Sequence, residues 1–165
     1  AGGADVPVPT SRGSLVLDSL AGRPLPQPLT TLGFNLVEAH AAGARVTSWE
    51  GGEPRIADLR PGTHMVAHDD VDDPATPRIA AWLTEFAAAP TDDGASGPWW
   101  EAWLGVLADS AGLEATDDRA IIRDNRPHGY PTLSLLVAVA SLDRSGVAVT
   151  TGTLDRPGRW NHPGL

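Results

Sequence analysis

The chain entirely lacks two residue types. None of its 165 residues is cysteine, and all 12 basic residues are arginine, so lysine is absent as well. The absence of cysteine excludes disulfides, thiolate–zinc sites and a cysteine nucleophile within these residues. Lysine codons are AT-rich, whereas the codons of the plentiful Ala, Gly, Pro and Arg are GC-rich. We therefore interpret this bias as bacterial genome composition and not as a mark of function.

The sequence also has no long apolar run and no excess of positive charge. The longest apolar run, residues 133–142, has the length of a strand, whereas a helix that spans a bilayer needs roughly 20 apolar residues. The net charge of −9 argues against nucleic acid and anionic membranes as partners, because phosphate binding requires a basic face. No signal peptide is visible at the start of the sequence, and we expect a cytoplasmic location.

The composition that is present, 41% hydrophobic and 20% charged, is ordinary for a globular protein of this length. We therefore predict a single domain over residues 1–165. Residues 1–10 are small residues and prolines that can bury little surface, and we expect a disordered lead-in there.

Apolar periodicity and turn residues predict an α+β fold. The predicted helices run from Ser11 or Ser14 to Leu20, onward from a cap at Asp73 or Thr76, and over residues 99–111. The predicted strands cover residues 34–40, 45–49, 54–59, 63–68, 132–142 and 147–154. Strands that follow one another through short turns pair antiparallel. The strand over 132–142 is long and apolar enough to be central and buried on both faces.

Several short motifs occur, each once, in a fixed order along nearly the whole chain. They are SRG at 11–13 with LV at 15–16, GFNLV at 33–37, Trp49 before GG at 51–52, PGTH at 61–64, His68 and Asp69 with Asp72 and Pro74, and the stretch 129–137. In this order they resemble the transport-and-Golgi-organisation family, also called the NRDE family. That family shows S-R-G-x-L-V, G-F-N-L-I, P-G-T-Y or P-G-x-H, and G-T-R-S-S-T.

The resemblance implies an N-terminal-nucleophile-hydrolase-like fold, an αββα sandwich in which helices flank two stacked antiparallel sheets. Family members begin with a cysteine after the initiator methionine and carry an Asn-Arg-Asp-Glu stretch nearby, and neither is present here. We therefore expect this chain to be the C-terminal part of a family member, with an incomplete sandwich and a missing N-terminal segment. A second departure is Tyr130-Pro131, where the family often has Thr-Arg.

The resemblance leaves three functional hypotheses. The first is an amidohydrolase-like enzyme acting on C–N bonds, whose nucleophile lies on the missing segment and whose own α-amino group takes the proton. The second is a non-enzymatic carrier or trafficking protein for haem or lipid, because eukaryotic members are linked to both. The third is a folded fragment without activity of its own, which we expect of this chain taken alone. We predict no cofactor, because neither G-x-G-x-x-G nor a P-loop occurs.

Two candidate site residues precede the first sheet or lie in it. Asn35 is a neutral donor on a strand and would suit oxyanion stabilisation or substrate positioning. The alternative is a structural amide that bonds to a neighbouring strand or loop. Arg12 would hold a substrate carboxylate through a bidentate fork, or it would tether its loop to an aspartate.

Histidines supply the remaining candidates for binding a small-molecule substrate or haem. His64 and His68 are four residues apart on a predicted strand and would share one face, beside Asp69. The spacing fits no defined metal motif, so we predict no metal site and interpret the acidic stretch as a solvated turn.

His128 lies in the densest polar cluster of the chain, residues 123–128. That cluster would line a site, since polar loops at strand ends often do, or form a surface turn with internal ion pairs. Trp99, Trp100 and Trp103 would stack on a planar ligand. At helical spacing, Trp99 and Trp103 would otherwise be core residues, with Trp100 pointing elsewhere.

Overall fold

The computed structural model describes residues 11–40, 42–91, 97–129 and 133–165. The predicted lead-in, residues 1–10, therefore lies outside the described residues. Contacts divide the chain into two compact units. The first contains the described part of Ala1–Arg60 together with His68–Asp70, and the second contains Pro61–Ala67 and the described part of Val71–Leu165.

The first unit consists of one helix and a three-stranded antiparallel meander. Its elements are α1 (Arg12–Leu20), β1 (Phe34–His40), β2 (Gly43–Trp49) and β3 (Arg55–Leu59), with β2 in the middle of the sheet. Ser11 caps α1 by accepting a hydrogen bond from the Gly13 amide. Leu15 and Val46 are almost fully buried. The helix and these three strands confirm the sequence prediction for this part of the chain.

The second unit contains two helices, a short 3₁₀ turn and a two-stranded hairpin. Its elements are α2 (Pro77–Ala88), α3 (Glu101–Ser110), the 3₁₀ turn Arg126–His128, β4 (Leu136–Asp143) and β5 (Gly146–Thr153). The hairpin closes at the pair Asp143 and Gly146. Its core cluster is Ile122, Val137 and Leu154, with Leu104 and Leu107 of α3 packed against it.

One strand prediction is wrong, and a second is confirmed as a strand but differs in its start and its burial. Residues 63–68 form no strand, because the Met65 amide and carbonyl bond to Asp72 and not to a neighbouring strand. The strand predicted over 132–142 begins at Leu136 as β4 and pairs only with β5 among the described residues. It is buried on one face alone: Val137 is 9% exposed and Leu136 is 62% exposed.

The third helix begins later than predicted. α3 starts at Glu101, whose amide donates to the Pro98 carbonyl, and Trp99 and Trp100 lie in the turn before it. Three helices with antiparallel sheets of three and two strands confirm the α+β class. The stacking of the sheets into a sandwich stays a prediction. None of the helices in the described parts of the chain has the length and apolar character needed to cross a membrane.

Gly158 offers a direct test of packing in the second unit. Its φ is +68°, and a Cβ atom added there would lie 2.5 Å from the Ala115 Cβ and 3.1 Å from the Asp124 Cβ. We expect Gly158→Ala to lower the free energy of unfolding by about 2 kcal/mol, because the substitution adds backbone strain to overpacking.

The matched control for this substitution is Gly105→Ala in α3, where an added Cβ meets nothing within 4 Å. It should raise the free energy of unfolding by up to about 1 kcal/mol through helix propensity. Denaturant unfolding of both variants measures the difference. Equal stability of the two variants would contradict the close approach at Gly158.

Candidate functional site

A half-buried aspartate organises the segment that begins at Pro61. Asp72 adopts the left-handed backbone region, with φ at +58°, which aspartate tolerates better than most residues. Its Oδ1 accepts the Met65 amide at 2.8 Å, and its own amide donates to the Met65 carbonyl at 2.9 Å. Its Oδ2 lies 2.5 Å from the His64 Nδ1. One side chain therefore holds both the backbone at Met65 and the imidazole of His64.

The Asp72 contact sets the chemistry available to His64. A carboxylate at Nδ1 favours the tautomer that carries its proton there, so Nε2 is the acceptor nitrogen of the neutral ring. When the ring is protonated, the same contact becomes an ion pair. A histidine held in this way suits proton transfer or the orientation of a polar group.

His64 lines an apolar cavity of about 280 Å³ within the second unit. Its lining is mostly hydrophobic and aromatic, and it comes from the segment after Pro61, from α2, from α3 and the turn before it, from Ile121 and from β4. The lining residues are Thr63, His64, Met65, Val66, Phe86, Trp100, Trp103, Leu104, Leu107, Ile121, Val137, Ala138 and Val139. We call this cavity the aromatic pocket. An apolar cavity with few polar groups is the usual form of a small-molecule site.

The tryptophans of the aromatic pocket form an edge-to-face cluster. The Trp103 ring lies 5.4 Å from Phe86 and 5.5 Å from Trp99, in T-shaped geometry with both. The Trp103 Nε1 is buried and has no hydrogen-bond partner among the described residues. Edge-to-face neighbours can partly satisfy an indole N–H through their π-faces. Trp100 lines the pocket, and the Trp99 Nε1 donates to the Ser141 Oγ at 2.8 Å.

The predicted site residues are divided between the two units. Asn35 donates through Nδ2 to the Asp69 carbonyl at 3.0 Å, and His68 lies 3.1 Å from the Asp69 carboxylate, both within the first unit. This contact is what the structural-amide alternative for Asn35 describes. His64 lies in the second unit, and the prediction that it shares a strand face with His68 is wrong because no strand forms there.

The other two predicted residues are exposed. Arg12 lies in the first turn of α1, and within the described parts of the chain its guanidinium forms no hydrogen bond or ion pair. His128 ends the 3₁₀ turn beside an ion pair between Arg126 and Asp124 at 2.6 Å. That pair lowers the pKa of the Asp124 carboxyl, chiefly through the hydrogen bond from Arg126. Internal ion pairing of the surface turn, one of the two alternatives, accounts for these charges.

The first unit contains a second cavity, of about 350 Å³, beside a polar chain. Ser19 donates to one oxygen of Glu38 at 2.5 Å, and Arg45 donates to the other at 2.7 Å. Arg45 first and Ser19 second lower the pKa of Glu38. Because both carboxylate oxygens of Glu38 already have partners, these contacts explain the packing of α1 on the sheet and indicate no reaction.

The main residue that sequence reasoning missed is Asp72. A solvated turn, which the sequence predicts for the acidic stretch, gives no reason to single out Asp72, whose carboxylate contacts His64. The sequence signals for Asp72 are its position eight residues after His64 and its place, near Pro74, among the motifs of the family resemblance. Over the ranges that the structure describes, no group of three or more His, Asp or Glu side chains could hold a metal ion. Comparisons with protein-family models, with curated proteins and with solved structures give no match.

Removing the Asp72 carboxylate should loosen this segment. We expect Asp72→Ala to lower the free energy of unfolding by about 2 kcal/mol, because two charge-assisted hydrogen bonds are lost, and Asp72→Asn to cost about half of that. Asp155→Ala is the matched control, since that exposed carboxylate has no partner in the described residues. Chemical denaturation measures all three variants. Equal losses for Asp72→Ala and Asp155→Ala would contradict the role given to Asp72.

Asp117 provides a pH test of the loop after α3. The hydrogen bond from the Arg119 side chain, aided by the Arg119 amide, lowers the pKa of Asp117 from 3.8 to about 2. Because the pKa of Asp117 is lower in the folded state than in the unfolded state, the ionised carboxylate stabilises the fold above about pH 4. This stabilisation is lost as the pH falls towards 2 and the carboxylate is protonated.

Carboxyl NMR titration should show this low pKa for Asp117. In Arg119→Gln the Asp117 pKa should move back towards its ordinary value, because the largest cause of the shift is removed. An Asp117 that titrates near pH 4 in the unaltered chain would contradict the ion pair.

Proposed function

We propose that the second unit binds a small, largely apolar molecule in the aromatic pocket and orients it through His64. The observation that supports this proposal is the His64–Asp72 contact at the edge of an aromatic cavity. Trp100 and Trp103 supply flat apolar surface, and His64 supplies a polar group whose direction is set by Asp72. A few positioned polar groups in an apolar lining give a ligand both affinity and orientation.

The volume of the aromatic pocket limits the size of the ligand that it can enclose. At about 280 Å³ it lies just below the range of roughly 300–1,000 Å³ that is usual for ligand pockets. A segment of a lipid chain or a single aromatic ring system suits this volume, whereas a haem macrocycle would be held only in part. Within the family resemblance, we therefore propose the carrier role, with lipid favoured over haem.

The second candidate is the amidohydrolase-like parent enzyme of the NRDE family. The observation that favours it is again the His64–Asp72 pair. A protonated histidine held by a carboxylate can give a proton to the leaving amine, while the α-amino group of the nucleophile acts as the base. In this proposal the nucleophile comes from another segment of the parent, and the aromatic pocket holds the apolar part of the substrate.

The binding proposal is tested by filling the pocket with a side chain. Val139 lines the aromatic pocket, whereas Val149 on the paired strand is 62% exposed and does not line it. We expect Val139→Trp to weaken binding of an environment-sensitive fluorescent fatty acid by about tenfold or more, equivalent to a loss of about 1.4 kcal/mol. Val149→Trp should bind as the unaltered chain does.

Equal weakening by both substitutions, or no saturable binding at all, would contradict the pocket proposal. A parallel titration with haem, followed by absorbance, tests the other carrier ligand. For the enzyme candidate, the full-length parent is incubated with aromatic amides. Release of the amine, lost in Val139→Trp and kept in Val149→Trp, would favour hydrolysis over simple carriage.

A further inference from the structure

Arg78 differs from the other arginines in its surroundings. Six arginines form an ion pair with a carboxylate, namely Arg23, Arg45, Arg55, Arg119, Arg123 and Arg126. The other five are exposed, namely Arg12, Arg60, Arg144, Arg156 and Arg159. Arg78 is half-buried, and within the described ranges of the chain no carboxylate pairs with it. It is therefore a partly desolvated cation that forms no ion pair with these residues, although the charge of Asp118 raises its pKa in part.

The guanidinium of Arg78 has a defined position. It extends from the first turn of α2, and its Nε donates to the Ala120 carbonyl at 2.9 Å. Its two terminal nitrogens form no hydrogen bond with described residues. Neither of them is a fully buried atom that lacks a hydrogen-bond partner. The terminal nitrogens are therefore accessible to solvent, on a side chain that is already held in place at Nε.

Arg123 brings a second cation to the same loop. It is 8% exposed, and its guanidinium donates to the Asn125 side chain, the Thr116 carbonyl and the Asp118 carboxylate. Arg78 and Arg123 thus hold the two ends of the segment 116–120. Burial first, and then the charge of Arg123, lower the pKa of Arg78. The side chains are close enough to repel each other.

The charges at this point do not balance. Three guanidinium groups, those of Arg78, Arg119 and Arg123, lie near two carboxylates. Asp117 pairs with Arg119 and is also affected by the charge of Arg123, and the Asp118 side chain is 81% exposed and lies 3.2 Å from Arg123. A desolvated cation is costly unless it is paired. The chain as a whole is acidic, with a net charge of −9, so its overall composition does not account for an excess of positive charge around the half-buried Arg78. A planar oxyanion would relieve it, because guanidinium forks match carboxylate and phosphate oxygens.

We propose that Arg78 and Arg123 form a binding site for an oxyanion, the carboxylate or phosphate group of a small ligand. Arg78 supplies the accessible donors, and Arg123, held by Thr116 and Asn125, supplies fixed positive charge beside them. Asp118 competes with the oxyanion for Arg123, so the ligand binds more tightly when that carboxylate is absent. This site is independent of the apolar ligand proposed above, since it depends on charge and on a different set of residues.

The test is titration of the full chain with inorganic phosphate, followed by ³¹P NMR, and with acetate, followed by protein chemical shifts. We expect saturable binding of at least one of the two anions, and their relative affinities distinguish a phosphate from a carboxylate ligand. Arg78→Gln should weaken binding roughly tenfold or more, because charge-assisted hydrogen bonds are lost. The matched control, Arg144→Gln, removes an exposed arginine and should bind as the unaltered chain does.

Asp118→Asn provides a second variant that does not depend on how well Arg78→Gln folds. Its side chain is largely exposed, so the fold should be kept, and oxyanion affinity should rise severalfold. Absence of saturable binding by both anions would overturn the proposal. Equal affinity in Arg78→Gln and Arg144→Gln, or unchanged affinity in Asp118→Asn, would also overturn it.

Discussion

The contact between Asp72 and residues 64–65 is the constraint on which the second unit's candidate site depends. The Asp72 carboxylate accepts a hydrogen bond from the Met65 amide and orients the His64 ring. The Asp72 amide in turn donates a hydrogen bond to the Met65 carbonyl. The cost is a left-handed backbone at a residue other than glycine. This link helps to hold residues 64–65 at the aromatic pocket, although they form no strand.

Two short-range ion pairs lie in the segment between α3 and β4. Arg119 bonds to Asp117 and Arg126 bonds to Asp124, each two residues away. Such exposed pairs contribute little to stability, but they set the direction of the turns that connect α3 to β4. Arg78 differs from these arginines, because it is half-buried and bonds to a carbonyl and not to a carboxylate.

Local patterns in the sequence predicted the elements that depend on local physics. The cap at Ser11, the meander of β1 to β3 and the tight turn at Asp143 to Gly146 follow from spacing and turn residues, and the structure confirms them. The stretch 63–68 failed because alternating side chains can equally belong to an extended segment that bonds to a distant residue. β4 was predicted as a strand, but its predicted burial on both faces was wrong, because an apolar run does not reveal how many strands will flank it.

By itself, the sequence determined the α+β class, the helices, the hairpins and the exclusion of cysteine chemistry. It also supplied His64 as a candidate, although it did not name the partner of that histidine. Only the tertiary structure decided that Asp72 orients His64, that Trp100 and Trp103 meet β4 around one cavity, and that Arg78 lies beside Arg123. The reason is physical: periodicity reports which face of an element is apolar, whereas the meeting of side chains from distant segments depends on how the chain packs.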